Sequence, residues 1–181
     1  LEEFGLFFAV FAMFNFLALF KSMGLGRALV KFISEYKSQN KNNHIKTTIF
    51  IATIIQMLST FIFALLLIVL AKFLSENYFK NELAIPIIYL LSIWFILSSF
   101  QGTVLQIFYG LNYLFLYSLG VFLNSFFYSL VLIFLLLMGV GFLSPAYAWI
   151  INSLLIIILF LPLLFKKYNF LKYTVVESKK V

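Results

Sequence analysis

The sequence predicts an all-α transmembrane bundle of about five membrane-spanning helices, and three observations carry that prediction. Of 181 residues, 64% are hydrophobic and 10% are charged, with a mean hydropathy of +1.09. A soluble domain carries about a quarter charged residues, so there are too few polar side chains here to cover a water-exposed surface. The apolar residues gather into five runs, each near the roughly 20 residues that a helix needs to cross hydrocarbon. The 13 Lys and Arg residues, which give a net charge of +7, stand between those runs, as membrane-flanking residues do. That placement argues for a membrane and against nucleic acid as the partner of the charge. With no cysteine in the chain, disulfides and thiolate metal sites are excluded.

The first run covers residues 4–23 and is expected to continue as one helix to Tyr36. Arg27, Lys31 and Glu35 are spaced by four, so they share one helical face. Ala18, Ser22 and Gly26 repeat at the same spacing and form a stripe of small side chains, which lets a second helix approach closely in a membrane. A polar connector follows at 37–46. The second run, 48–70, is interrupted by Gln56, and a short charged link at 71–81 ends it. The third run, 84–100, has Pro86 near its start, where a missing N–H costs little. Residues 101–112 carry Gly102 and Gly110 and read as an uncharged link. The fourth run is 114–138. Gly139 and Gly141 mark a turn, and Ser144-Pro145 reads as an N-cap followed by Pro at the first helical position. The fifth run is 146–165, with Pro162 near its end.

Charge gives the expected orientation. Five spans put 21–46 and 166–180 on one side, with six and five basic residues, against Lys72 and Lys80 on the other. The positive-inside rule makes the richer side cytoplasmic. The N-terminus has no basic segment followed by a small-residue cleavage site, so it does not read as a signal peptide. The chain begins with Leu1 and stops in a charged tail, and it reads as an internal fragment.

The stretch from Gly24 through Gly26, Ala28, Lys31 and Glu35 to Tyr36, entered through Glu3-Phe4-Gly5, resembles the second-helix segment of the oligosaccharide flippases. These form the polysaccharide-transporter branch of the multidrug/oligosaccharidyl-lipid/polysaccharide exporter superfamily. Two further segments resemble the same family at the expected spacing: Tyr109-Gly-Leu-Asn112 through Tyr117, and Gly139–Gly141 with Ala146–Trp149. In place of the family's usual acid before the glycine pair stand Lys21-Ser22-Met23, and Tyr109 replaces a usual Gln. The resemblance implies that 1–181 is a partial N-terminal transmembrane lobe, most of one six-helix lobe of a two-lobe flippase. Residues 166–181 would begin the cytoplasmic inter-lobe linker. It also implies a lipid-linked oligosaccharide as substrate, alternating access as mechanism, membrane lipids and the C-terminal lobe as partners, and the cytoplasmic membrane of a bacterium or archaeon as location.

No enzyme constellation is visible and no cofactor is expected. His44, the single histidine, lies in the polar connector, and all six carboxylates fall outside the apolar cores. No Gly-rich loop ends in Lys-Ser/Thr, so no nucleotide site is encoded. The candidate substrate-binding residues are therefore cations near the membrane edge and amides inside it. Arg27 and Lys31 suit the pyrophosphate of a lipid-linked sugar, with snorkelling anchors as the plainer alternative. Lys21 lies near the hydrocarbon edge, about 120° from that stripe on a regular helix. Gln56, Asn124 and Asn152, like Asn15, lie within apolar runs and need a helix partner or a wet cavity. Ser125 and Ser129 read as packing contacts, and the many Phe as lipid-facing bulk. The rival readings are an ion-coupled multidrug exporter of the same superfamily, which would need an intramembrane acid, and a polysaccharide polymerase or ligase, which would need a catalytic cluster in a large outside loop.

Overall fold

The computed structural model describes the backbone of residues 2–22 and 24–168, and the side chains of all of these except 20–22. The described residues form six α-helices: α1 Glu2–Ser22, α2 Leu25–Ser38, α3 Asn42–Leu74, α4 Ala84–Gly110, α5 Leu114–Leu137 and α6 Ser144–Lys167. Five of the helical segments are long and apolar enough to cross a membrane. The fold is an all-α membrane bundle.

The single helix expected from residue 4 to Tyr36 is two helices. Gly24 sits between them at φ +77°, in the left-handed region that only glycine enters without strain. The four-residue spacing of Ala18, Ser22 and Gly26 runs through the break, so it could not reveal it. After the break α2 is amphipathic. Gly26, Leu29 and Ile33 are buried while Arg27, Lys31 and Glu35 are exposed.

The third span is also longer than the apolar run suggested. The link expected at 101–112 is helical as far as Gly110. A glycine inside a helix costs about 1 kcal/mol relative to alanine. Burial of Val104, Ile107 and Phe108 just beyond Gly102 offsets that cost. The chain turns only at 111–113, where Asn112 takes φ +58° and Tyr113 N–H donates to the Phe108 carbonyl at 2.9 Å. Ser144 is not the N-cap expected, because its hydroxyl donates to the Gly141 carbonyl at 2.7 Å.

Helix α4 packs against each of the other five helices. Along it lie two apolar cores. One, at the end where α2 meets α3, joins Leu29, Ile33, Ile45, Ile49, Phe108 and Phe160. The other, at the opposite end, joins Phe7, Phe14, Leu67, Ile88, Phe95 and Ala146. Small residues set the close approaches. A Cβ on Gly120 of α5 would collide with Leu105 Cδ2, and one on Gly110 would stand 3.0 Å from Ile33 Cβ. The small-residue stripe finds its neighbour at Gly26, which seats the Gln106 amide of α4. Ser34 Oγ donates to the Gly110 carbonyl at 3.0 Å, and Lys37 Nζ donates to the Leu111 carbonyl at the end of α4.

A candidate polar cavity between α4, α5 and α6

Between the two cores α4 carries Ser92, Ser99, Gln101 and Thr103, all buried. Hydrocarbon offers these groups no partner, so each must be satisfied inside the bundle. Ser92 and Thr103 donate to carbonyls of their own helix, Ile88 at 2.7 Å and Ser99 at 3.0 Å, while Ser99 and Gln101 turn to two sides. Toward α3, Gln56 Nε2 donates to Ser99 Oγ at 3.3 Å, and the Thr60 and Ser99 hydroxyls share a hydrogen bond of 2.9 Å. Thr60 also donates to the Gln56 carbonyl at 2.7 Å. This cluster ties α3 to α4, and Gln56 is consumed in it.

Toward α5 and α6 the amides converge. Gln101 Nε2 donates to Asn124 Oδ1 at 2.6 Å, and Asn152 Nδ2 donates to the same oxygen at 2.7 Å. Three helices thus meet on one side-chain oxygen. Beside this triad lies a cavity of ≈ 430 Å³, lined by Gln101, Asn124, Asn152, Ser153, Ser125 and Ser129 on its polar part and by Trp94, Tyr128 and Trp149 on its aromatic part. Gly102 lines it too, and a Cβ there would meet nothing within 4 Å. No charged side chain lines this cavity.

The aromatic part is a stack built from four helices. Trp149 of α6 lies 5.0 Å from Trp94 of α4, 5.5 Å from Tyr128 of α5 and 4.3 Å from Phe11 of α1, measured between ring centroids. Interplanar angles of 26°, 13° and 23° make each pair stacked. Centroid separations of about 4.5–7 Å are the favourable range for aromatic pairs, so Trp94 and Tyr128, at 5.0 and 5.5 Å, hold Trp149 in place from α4 and α5, with Phe11 packed closer still behind it.

Two polar atoms at the cavity are left over. Asn152 Oδ1 and Ser153 Oγ are buried and make no hydrogen bond, while their residues are only 3% and 1% exposed. Leaving such a group unpaired costs about 1–3 kcal/mol.

The residues singled out in the sequence thus divide. Asn124 and Asn152 come together at the cavity. Gln56 lies apart from it, bonded toward α3. Asn15 bonds its own helix, donating to the Phe11 carbonyl at 3.2 Å. Arg27 and Lys31 stand on the exposed edge of α2, outside the cavity lining. The Lys21 side chain lies outside the described residues. Ser125 and Ser129, read as packing contacts, line the cavity while donating to α5 carbonyls. Gln101, Trp94, Tyr128 and Trp149 were not picked out in the sequence as cavity residues. The only signal for Trp94 was its depth, since Trp in a spanning helix usually sits at the interface. Among the described residues no group of His, Asp and Glu could hold a metal ion.

A polar, uncharged cavity between membrane-spanning helices defines a multi-pass membrane protein with room for a polar ligand. Comparison supplies the family. The profile described as "Polysaccharide biosynthesis protein" matches residues 1–181, and the chain belongs to that family. It is also similar to an uncharacterized membrane protein of Methanocaldococcus jannaschii, 35% identical over 78 residues, covering 43% of this chain and 15% of that protein. No solved structure matches the chain.

Proposed function

We propose that this chain is part of a flippase. The protein would carry a polyprenyl-pyrophosphate-linked oligosaccharide across the cytoplasmic membrane, for cell-surface polysaccharide or glycan synthesis. The observation that carries this reading is the uncharged amide and hydroxyl cavity, backed by stacked tryptophans, at the middle of an apolar bundle. A sugar headgroup is too polar to cross hydrocarbon, and such a lining replaces its water with fixed hydrogen-bonding groups. Membership of the polysaccharide biosynthesis family supports the same substrate class.

In this reading the two lobes rock about a shared cavity while the lipid tail stays in the bilayer. The cavity receives sugar, and Arg27 and Lys31 on the exposed edge of α2 meet the pyrophosphate. An ion gradient or the membrane potential drives the cycle. The multidrug-exporter alternative is less well supported. The described carboxylates, Glu2, Glu3, Glu35, Glu76 and Glu82, all stand at helix ends or on links, where none can hold a cation at mid-membrane.

The test is a headgroup-accessibility assay in proteoliposomes holding the protein and a fluorescent lipid-linked oligosaccharide. Wild type moves the headgroup between leaflets. Gly102→Leu, which adds a bulky apolar side chain at a lining position where a Cβ meets nothing within 4 Å, stops it while insertion is kept. Unchanged movement in Gly102→Leu overturns the reading.

A further inference from the structure

A second concavity, of ≈ 340 Å³, lies between α2 and α3. Its walls run from Leu25 to Tyr36 on α2 and from His44 to Ile55 on α3. At 1.5 Å per residue each wall is about 16 Å long. That is close to the depth of one leaflet, half of a hydrocarbon core of roughly 30 Å. Polarity changes along the groove. Leu25, Ile51 and Ile55 make one end apolar, while Tyr36, His44 and Thr48 make the other end polar. A phospholipid has the same gradient over the same distance. Phe32, Ile51 and Ile55 are exposed, so the groove opens sideways from the bundle.

The polar end is also the cationic end. The Tyr36 and His44 rings lie 5.3 Å apart there. The Lys41 N–H donates to the Tyr36 carbonyl at 2.9 Å, which brings exposed Lys41 to the same rim. Lys41 stands three residues ahead of His44, on the same side of α3. Between Leu25 and Lys46 the chain has five basic residues and one carboxylate, Glu35, and no carboxylate lines the groove. Such a rim attracts anionic headgroups. Width narrows the choice of occupant further. The volume spread over that length leaves a section of roughly 20 Å². A helix, about 10 Å across, is too thick to enter it, whereas one extended acyl chain is slim enough.

We propose that the α2–α3 groove holds one anionic phospholipid from the leaflet on the lysine-rich side. One acyl chain lies along Leu25, Phe32, Ile51 and Ile55, and the phosphate sits at His44, Thr48 and Lys41. Arg27 and Lys31 are not part of the lining, so this site is separate from the pyrophosphate contact proposed above. It stands whether or not the protein is a flippase.

The test uses the full-length protein in phosphatidylcholine nanodiscs doped with phosphatidylglycerol that carries a diazirine on one acyl chain. After irradiation, mass spectrometry maps the labelled residues. Labels concentrate on residues 25–32 and 51–55. Excess unlabelled phosphatidylglycerol suppresses them, and the same amount of added phosphatidylcholine does not. Glycerol phosphate, which has no chain, and diacylglycerol, which has no phosphate, do not suppress them either. Lys41→Gln combined with His44→Gln lowers the preference for phosphatidylglycerol about fivefold, the loss expected for one lysine near a membrane surface. Ala52→Leu narrows the groove and reduces labelling; where it fails to fold, the Lys41 and His44 variant, changed only at exposed positions, decides. Labels spread evenly over the exposed sides of α3 and α5, equal suppression by phosphatidylcholine, or an unchanged preference in the Lys41 and His44 variant overturns the site. Suppression by glycerol phosphate alone makes it a soluble-phosphate site and overturns the lipid. An unlabelled groove, the result expected where a second copy or another segment of the protein covers it, also overturns the proposal.

Discussion

Asn152 of α6 donates its amide hydrogen to Asn124 of α5 at 2.7 Å, and that one bond orders the centre of the bundle. It fixes the register of two antiparallel helices. It also leaves the Asn152 carbonyl oxygen buried without a hydrogen-bond donor, which costs about 1–3 kcal/mol.

The cluster on the other side of α4 is scaffolding by the same criterion. Gln56, Thr60 and Ser99 bond one another. Ser99→Ala should lower stability in detergent by about 0.6 kcal/mol, the average for a hydrogen bond between membrane helices. Thermal unfolding checks this.

Close helix approach at glycine gives a sharper stability prediction. Gly110→Ala brings a methyl to 3.0, 3.1 and 3.3 Å from Ile33 Cβ, Cγ2 and Cδ1, of which Ile33→Ala would remove the last two. Overpacking of this kind costs about 1–3 kcal/mol. Ile33→Ala in the same protein should recover part of the loss. A double-mutant cycle on unfolding midpoints measures that coupling.

The break at Gly24 is a backbone requirement. Gly24→Ala places an L-residue at φ +77° and should cost about 1 kcal/mol. Gly24→Asn should cost less, because asparagine tolerates the left-handed region. Unfolding midpoints of the two variants should fall in that order, with no Cβ clash in either, since nothing lies within 4 Å.

Arg27 and Lys31 are exposed on α2, so replacing both with alanine should leave insertion and stability within about 0.5 kcal/mol of wild type. In the flippase reading the same double variant loses transport of the pyrophosphate-linked substrate. Wild-type transport would reduce both residues to topology anchors.

Much of this architecture was legible from patterning, because hydrophobic length and flanking lysines report directly on a membrane. Gly102 misled, since a glycine beside an uncharged segment reads as a link, and only the burial of Val104, Ile107 and Phe108 shows why the helix continues. Asn124 and Asn152 could be picked out singly, as amides in apolar runs. Their meeting with Gln101 could not, because it depends on the packing of three helices across separations of 23 and 28 residues. The aromatic wall was hidden for the same reason. Its members come from α4, α5 and α6, with Phe11 of α1 stacked on Trp149, and no local motif links them.

The absence of native cysteine permits the most direct measurement. Ser125 faces the cavity, whereas Leu130 of the same helix is exposed but absent from its lining. Single Ser125→Cys and Leu130→Cys variants in membranes are exposed to a water-soluble maleimide, with and without lipid-linked oligosaccharide. The account predicts that Cys at 125 is labelled, that substrate slows the labelling, and that Cys at 130 stays unlabelled in lipid. Labelling at 125 that is absent, or that substrate leaves untouched, would contradict the cavity as the place where the sugar travels.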